Sequence, residues 1–235
     1  MNIAGIQKMT LLDYPGKVAC TVFLGGCNFA CPFCHNSELL SSGAESVMDQ
    51  ETLLDYLEKR KGLLDAVCIS GGEPTLHADL EALLGRIKDM GYQIKLDTNG
   101  YRPDVLSRLI DKALVDYVAM DIKNDLNHYA VTSGIENINK DKILESMKML
   151  IYGETDYEFR TTVVEEFHDE ESFLEINKMF QSISSGKKIK KYFLQPFVDR
   201  DTVVFSNLHA PTEEKLKIYR KYVELSVEKV EIRGL

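Results

Sequence analysis

The sequence predicts an α/β fold built from parallel βα units. Strand-like and helix-like patterns alternate along the chain, and such alternation favours a parallel sheet covered by helices. The chain has 235 residues, of which 44% are hydrophobic, and this is enough for one large core. The patterns give six βα units, too few to close an eight-stranded barrel. We therefore expect one domain over residues 1–235, with either an open, partial barrel or a doubly wound sheet.

Hydrophobic periodicity defines the elements of the first half. An apolar run predicts a strand over residues 18–24. A helix follows over residues 49–61, with its leucines on one face and Gly62 as a stop. Further strands are expected at residues 66–70 and 92–97, on either side of an amphipathic helix at residues 79–90.

The second half continues the same alternation. Helices are expected after Pro103, around Ile143–Ile151, around Phe173–Phe180 and from about Pro211. The strands of this half are expected at residues 115–123, 158–164, 189–195 and 227–232.

Three cysteines follow the strand at residues 18–24 with CxxxCxxC spacing: Cys27, Cys31 and Cys34. Thiolates so close in sequence can share one metal centre. A structural zinc ion or an electron-carrying iron–sulfur cluster normally takes four protein ligands, whereas three leave a position open for a substrate or cofactor. The spacing alone leaves alternatives open: a zinc knuckle with His35 as fourth ligand, a ferredoxin-like loop, or chance.

The other cysteines, the net charge and the lack of targeting patterns limit the classes of protein that this chain could belong to. Cys20 and Cys68 lie within apolar strand patterns, and we interpret them as buried core residues rather than ligands. The net charge of −9 argues against a nucleic-acid-binding protein. No apolar run approaches the length of a membrane span and no signal-peptide pattern is found, so we expect a cytoplasmic protein without a membrane partner.

Polar residues follow the carboxyl ends of the predicted strands, where α/β folds bind their ligands. Gly71 and Gly72 would allow close approach of a ligand to the backbone and its N–H groups. Glu73 offers a carboxylate to an ammonium group. An ordinary βα turn is the alternative for the glycine pair.

The next strands carry charged residues near their ends. Strand alternation puts Lys95 and Asp97 on one face of their strand, and likewise Asp121 and Lys123. Buried polar pairs cost stability unless they bind something, although an interstrand salt bridge is the alternative for the second pair. Arg160, in the following strand, would need a partner if it is buried.

These motifs together resemble the radical S-adenosylmethionine superfamily. The resemblance rests on the cysteine motif, with Phe33 before its last cysteine, and on the turn Gly71-Gly72-Glu73-Pro74. The finer resemblance is to the activating enzymes of glycyl-radical enzymes. Residues 5–17 and Cys34-His35-Asn36 resemble the activating proteins of anaerobic ribonucleoside-triphosphate reductase. Asp97-Thr98-Asn99-Gly100 and Met120-Asp121-Ile122-Lys123 also resemble the pyruvate formate-lyase activating enzyme.

The resemblance implies a partial (β/α)6 TIM-like barrel, open on one side. It implies that Cys27, Cys31 and Cys34 hold a [4Fe–4S] cluster and that S-adenosylmethionine binds its open iron. The residues expected around that cofactor are Phe33, Gly71, Gly72, Glu73, Asp97, Thr98, Asp121, Lys123 and Arg160. A monovalent cation is a further possibility near Asp97, Thr98 and Asp121. No side chain is expected to act as a general acid or base.

The implied activity is the transfer of one electron from the reduced cluster to S-adenosylmethionine. The resulting 5′-deoxyadenosyl radical would take a hydrogen atom from a glycine of a large glycyl-radical enzyme, an anaerobic ribonucleotide reductase in the first instance. A flavodoxin- or ferredoxin-type protein would supply the electron.

One departure and several alternatives accompany this interpretation. Val198 stands where the pyruvate formate-lyase activating enzyme has a histidine, so a cofactor contact is not expected there and that partner is disfavoured. His35 is interpreted as a loop residue or a hydrogen-bond donor behind the cysteines. The alternative functions are another glycyl-radical activating enzyme, another small radical enzyme such as a deazaguanine-forming synthase or peptide modifier, and a non-catalytic zinc or electron-transfer module.

Overall fold

The computed structural model describes residues 1–41, 43 and 45–234. Over these residues the strands are β1 (Ile3–Thr10), β2 (Ala19–Leu24), β3 (Ala66–Gly71), β4 (Gln93–Thr98), β5 (Tyr117–Asp121), β6 (Asp156–Val163), β7 (Ile189–Pro196) and β8 (Val227–Ile232). The α-helices are α1 (Gln50–Glu58), α2 (Leu80–Asp89), α3 (Pro103–Asp111), α4 (Tyr129–Ser133), α5 (Lys140–Tyr152), α6 (Glu170–Ser184) and α7 (Glu213–Val223). Short 3-10 helices cover Ser37–Leu39 and Pro74–Leu76.

The described residues form two compact units. Unit 1 comprises Met1–Asn28, Glu38–Thr98 and Arg102–Ala119, and unit 2 comprises Phe29–Ser37, Asn99–Tyr101 and the chain from Met120 onward. Unit 1 therefore holds β1 to β4 with α1 to α3, and unit 2 holds β6 to β8 with α4 to α7. Strand β5 contributes residues to both units.

Parallel pairing aligns the strand ends of unit 1. Strand β3 pairs with β2 from Ala19↔Ala66 to Leu24↔Gly71, and with β4 from Ala66↔Gln93 to Ile69↔Leu96. Strand β1 runs antiparallel to β2. Because β2, β3 and β4 point the same way, the residues that follow them lie at one edge of the sheet.

The helices of unit 1 form where their sequences supply caps and an apolar face. The Asp49 side chain accepts a hydrogen bond from the Thr52 N–H at 2.8 Å and so starts α1. Proline at the first position starts α3, where its missing N–H costs no helical hydrogen bond. In α2 the leucines and isoleucine of the predicted apolar stripe are buried: Leu80, Leu83, Leu84 and Ile87.

Unit 2 repeats the parallel arrangement. Strand β7 pairs in parallel with β6 and with β8. A capping box formed by Asp169 and Ser172 begins α6. The ring of Phe173 in α6 stacks on that of Tyr219 in α7 with centroids 4.5 Å apart, which joins the two helices through the core.

The strand order follows the chain from β1 to β8. In unit 1 the Asp116 N–H donates to the Ile94 carbonyl at 2.8 Å, and in unit 2 the Ile122 N–H donates to the Arg160 carbonyl at 2.8 Å. Among the described strands, β1 and β8 are the ends of this order, so the sheet is open. The predicted α/β class and open sheet are confirmed, with six βα units from β2 to α7.

Apart from the two 3-10 helices, one strand and one α-helix were not predicted from the sequence. They are the antiparallel edge strand β1 and the short helix α4. The helix expected over residues 49–61 is also shorter, since it ends at Glu58. No helix in the described part of the chain combines the length and apolar character needed to span a membrane.

Candidate functional site

The turn after β3 in unit 1 requires both of its glycines. A Cβ atom on Gly71 would lie 2.3 Å from the Leu24 carbonyl oxygen, and one on Gly72 would lie 2.1 Å from the Gly26 carbonyl oxygen. Gly71 also has a φ of +119°, which other residues rarely adopt. The turn therefore packs directly against the backbone that leaves β2.

The N–H groups of this turn are used within the protein. Gly72 N–H donates to the Leu24 carbonyl and Glu73 N–H to the Gly26 carbonyl, both at 2.8 Å. This corrects the expectation that the Gly72 N–H meets a ligand: the close approach is to the end of β2. These backbone contacts hold the turn in place, and with it the position of Glu73.

That residue, Glu73, is fully buried. Its Oε1 accepts hydrogen bonds from the N–H of Thr75 at 3.1 Å and from the hydroxyls of Thr75 and Thr98 at 2.5 and 2.7 Å. These three hydrogen bonds orient the carboxylate. The contact with Thr98 joins the end of β3 to the end of β4.

Asp97, also in unit 1, is held by two side chains of the sheet. Its Oδ1 pairs with the ammonium of Lys95, and its Oδ2 accepts a hydrogen bond from the Ser70 hydroxyl at 2.9 Å. The side chains of Lys95 and Asp97 are 3% and 14% exposed. The shared face predicted for this pair is confirmed as a buried ion pair.

Unit 2 brings together Asp121, Lys123 and Arg160. The Arg160 Nε–H donates to Asp121 Oδ1, and Lys123 Nζ lies 3.0 Å from Asp121 Oδ2. Burial acts to raise the pKa of Asp121, but the two cations outweigh it and hold that pKa well below its usual range. The partner that a buried Arg160 needs is thus Asp121, and the interstrand salt bridge named as an alternative is present.

The cysteine loop is anchored in unit 2 by α4. The Ala30 N–H donates to the Ser133 carbonyl at 2.9 Å. A Cβ atom on Gly134, where φ is +70°, would lie 2.2 Å from the Ala30 carbonyl oxygen. The Cys34 N–H donates to the Cys31 carbonyl at 3.1 Å, which closes a tight turn between these two cysteines.

The environments of the cysteines differ. Cys20 and Cys68 are buried, in agreement with their interpretation as core residues, whereas Cys27, Cys31 and Cys34 are half-buried. Burial raises the pKa of the Cys31 thiol to about 11, although the Lys123 ammonium acts to lower it. Within either unit, the described residues hold no group of three His, Cys, Asp or Glu side chains arranged for a metal ion. In unit 1 the Cys27 N–H donates to the Leu40 carbonyl at 3.2 Å.

Phe33 and His35 flank the last cysteine of the loop in unit 2. Phe33 is buried in an apolar cluster with Val164, Phe197 and Leu208. The His35 ring stacks on Phe197 with centroids 5.4 Å apart, and its Nε2 lies 2.8 Å from the Val198 carbonyl oxygen. His35 thus contacts the segment that follows β7 through that carbonyl.

Several residues around the loop were missed by sequence analysis. Ser133 and Gly134 hold Ala30, and the Thr202 hydroxyl donates to the His35 carbonyl at 2.6 Å. The His168 Nε2 lies 2.9 Å from the carbonyl oxygen of Lys123. Only the sequence Ser133-Gly134 gave a signal, since a glycine after a short polar run indicates a helix end.

Comparison with known proteins identifies relatives along most of the chain. The sequence model described as the Radical SAM superfamily matches residues 21–171. A protein of Methanocaldococcus jannaschii, named as a glycyl-radical enzyme activating enzyme, is 34% identical, and the match covers 94% of this chain and 93% of that protein. The pyruvate formate-lyase-activating enzyme of Clostridium pasteurianum is 29% identical over 153 residues, covering 63% of each chain.

Solved structures share the fold at lower identity. A domain of pyruvate-formate lyase-activating enzyme from Bacteroides vulgatus matches with a TM-score of 0.57 and 20% identity, covering 72% of this chain and 99% of that one. Streptococcus suis SuiB bound to S-adenosylmethionine matches with a TM-score of 0.67 and 13% identity, covering 91% of this chain and 52% of that one. At these sequence identities, the similarity supports a shared α/β fold and no statement about activity.

Proposed function

The chain belongs to the radical S-adenosylmethionine superfamily, and on that basis we propose that it is an activating enzyme that installs a glycyl radical on a partner enzyme. In this proposal Cys27, Cys31 and Cys34 would hold a [4Fe–4S] cluster, and S-adenosylmethionine would bind beside it. Among the structural observations, the one that supports the proposal most directly is the buried carboxylate of Glu73, which follows a two-glycine turn at the end of β3.

The cysteines suit a cluster in number and environment. They are half-buried, whereas Cys20 and Cys68 are buried. Three thiolates satisfy three irons of a cubane and leave the fourth for the cofactor. The Ala30–Ser133 hydrogen bond would keep the loop in place while the ligands bind.

The polar residues suit the two charged ends of an amino acid such as the methionyl part of S-adenosylmethionine. Glu73 accepts hydrogen bonds from Thr75 and Thr98, and it would bind the ammonium. Lys123 and Arg160 bring two positive charges to the single carboxylate of Asp121, and they would favour the carboxylate of the cofactor.

The other expected contacts remain part of the proposal. Phe33 would lie near the adenine, and the apolar cluster around it would exclude water. Gly71 and Gly72 would shape the turn that presents Glu73. Asp97 and Thr98 would contact the ribose side of the cofactor.

When bound, the reduced cluster supplies one electron and S-adenosylmethionine supplies a radical that can take a hydrogen atom from a glycine Cα. The chain's own residues would bind, orient and shield the cofactor rather than move protons. This division fits a site in which the charged groups near the strand ends are already paired or hydrogen-bonded.

The partner is proposed to be an anaerobic ribonucleotide reductase, with a flavodoxin- or ferredoxin-type protein as electron donor. Residues 5–17 and the sequence Cys34-His35-Asn36 support this choice, as does Val198 in place of a histidine after β7. The second candidate partner is a pyruvate formate-lyase, because several relatives are named as its activating enzymes.

Electron paramagnetic resonance can test the proposal. The reconstituted protein would be mixed without oxygen with S-adenosylmethionine, a reductant and either candidate partner, and 5′-deoxyadenosine would be measured in parallel. We expect a radical doublet on the reductase that disappears when the candidate glycine near its C-terminus is changed to alanine. Cys68→Ala serves as the matched control for Cys31→Ala, since Cys68 is buried in the core.

The other outcomes separate the alternatives. A doublet on the formate-lyase alone would keep the activating function and change the partner. Cofactor cleavage without a radical on either partner would favour another small radical enzyme. A protein that holds zinc, or that holds iron and cleaves no cofactor, would be a metal-binding or electron-transfer module, and the proposal would be wrong.

A further inference from the structure

Lys95 is a buried residue of β4 in unit 1, two positions before Asp97 on the same face of the strand. The register of β2, β3 and β4 aligns Thr21 with Cys68 and Cys68 with Lys95. Ser70 and Asp97 follow two residues later on the same faces of β3 and β4. The Lys95 side chain reaches up to the Asp97 carboxylate, so its charge lies within the protein rather than in water.

Burial of an ammonium group without a partner costs more free energy than the whole stability of a typical domain. Lys95 meets this cost by pairing with Asp97 Oδ1, while Ser70 donates to Oδ2 at 2.9 Å. Both oxygens of the carboxylate are therefore engaged, one by a full positive charge. Both oxygens of Asp121 in unit 2 are engaged as well, each by a cation, with Arg160 on one and Lys123 on the other.

A monovalent metal cation is the group that the family resemblance implies near Asp97, Thr98 and Asp121. An alkali ion would bring one positive charge to the Asp97 carboxylate, and Lys95 already brings one. The ammonium is attached to the chain, so it pays no entropy of association. A second cation at the same carboxylate would meet the repulsion of Lys95 at short range in a poorly solvated place. The residues present do not fit an alkali ion.

We propose that Lys95 is a built-in counter-ion that takes the place of a monovalent cation at Asp97. Its ammonium fixes the Asp97 carboxylate at the end of β4, next to Thr98 and hence to Glu73. Lys95 is accordingly a positioning residue for the cofactor site. The role in cofactor binding rests on the proposed function, whereas the cation independence of the fold does not.

The first test measures thermal unfolding of the metal-free protein in potassium, sodium or tetramethylammonium chloride at equal ionic strength. Tetramethylammonium is too large for a carboxylate site inside a sheet. We expect the same melting temperature for the parent protein in all three salts. For Lys95→Met we expect a lower melting temperature in tetramethylammonium and partial recovery in sodium or potassium, because the small ions can enter the space left beside Asp97.

Two further variants keep this test decisive. Lys88→Met is the matched control, because Lys88 pairs with Asp116 near the surface, where both side chains are more than a quarter exposed. It should respond alike to all three salts. The double variant Lys95→Met/Asp97→Asn removes both charges, and it should be more stable than the single variant and insensitive to the choice of cation.

The second test measures binding of S-adenosylmethionine to the reconstituted protein in the same salts. The parent should bind with equal affinity in each, whereas Lys95→Met should bind about tenfold more weakly in tetramethylammonium, as loss of a buried charge partner predicts. A parent protein whose melting temperature or affinity rises specifically with potassium or sodium would overturn the proposal. If the parent binds no S-adenosylmethionine at all, the proposed function fails, while the unfolding data still decide the role of Lys95.

Discussion

The hydroxyl of Thr98 donates a hydrogen bond to the buried carboxylate of Glu73 at 2.7 Å. Thr98 ends β4 and Glu73 follows β3, so this one contact fixes two adjacent strand ends relative to each other. It also defines which way the carboxylate faces. The two residues were expected at the cofactor site for separate reasons, and the structure shows that they depend on each other.

Thr98→Val should destabilise unit 1 and weaken cofactor binding. The valine keeps the shape of threonine but leaves the buried Glu73 carboxylate with one donor fewer, which costs about 1–3 kcal/mol. Urea unfolding would measure the stability, and equilibrium binding of S-adenosylmethionine would measure the site. Thr98→Ser retains the hydroxyl and should lose much less of both. A loss for serine as large as that for valine would show that the methyl group contributes as much as the hydrogen bond, and it would contradict this prediction.

Single alanine substitutions at Cys27, Cys31 and Cys34 should abolish or deplete the bound iron. The variants Cys20→Ala and Cys68→Ala should instead retain about four irons per chain after reconstitution, as a cubane cluster requires. The difference follows from burial, because Cys20 and Cys68 are 0% exposed within the core. Iron and acid-labile sulfide analysis provides the measurement. Loss of iron in a soluble, folded Cys68→Ala protein would contradict the ligand assignment.

Gly72→Ala should destabilise the protein by about 3 kcal/mol or more, because overpacking that must move backbone exceeds the usual cost of an added methyl group. The added Cβ would lie 2.1 Å from the Gly26 carbonyl oxygen. Gly85→Ala is the control: this glycine is inside α2 with no atom within 4 Å of an added Cβ. That change should stabilise the helix by about 0.5–1 kcal/mol. Chemical denaturation compares the two, and a neutral Gly72→Ala would refute the close contact.

Protonation of His168 should make the fold less stable below about pH 6.5, which is the ordinary pKa of a histidine side chain. Burial lowers the pKa of this imidazole, despite hydrogen bonds to Lys123 and Val164 and the nearby Asp125 and Asp169, which act in the other direction. The unfolded chain therefore binds a proton at a higher pH than the folded protein, so stability is present above pH 6.5 and is lost as the pH falls. Urea unfolding between pH 7.5 and 5.5 measures this slope, which His168→Phe should flatten.

His128 provides a control of opposite sign. Its hydrogen bond to Asp125 raises the pKa of His128, so its contribution is present below pH 6.5 and is lost as the pH rises through the folded value. His128→Gln should therefore steepen the increase of stability with pH. If His168→Phe and His128→Gln changed the slope of stability against pH in the same direction, the direction of the pKa shift assigned to one of the two imidazoles would be wrong.

Much of the fold could be predicted because its helices and parallel strands bury regular apolar patterns. Strand β1 escaped prediction because it is an edge strand with mixed burial, in which Gln7, Lys8 and Met9 are exposed. Helix α4 escaped because five residues are too few to show a period. Both gaps reflect elements whose stability comes from neighbours rather than from their own sequence.

The site could be predicted as a set of residues but not as a set of contacts. Strand alternation placed Lys95 beside Asp97, since both lie on one strand. It could not show that Ser70 donates to the same carboxylate, or that the Gly72 N–H is already bonded to Leu24, because these contacts join different strands and depend on register. The pairing of Arg160 with Asp121 has the same origin.

The hydrogen bond between Thr202 and the His35 carbonyl has a consequence for the order of assembly. It joins residues 167 positions apart, and the bond from the Ser37 hydroxyl to the Thr202 carbonyl spans 165. Such distant contacts form late, because a long chain segment must close first. On the ribosome, the cysteine loop emerges early yet acquires these surroundings only after residue 202 has left the exit tunnel. Maturation of the loop therefore depends on the segment that follows β7 rather than on the synthesis of the cysteines themselves.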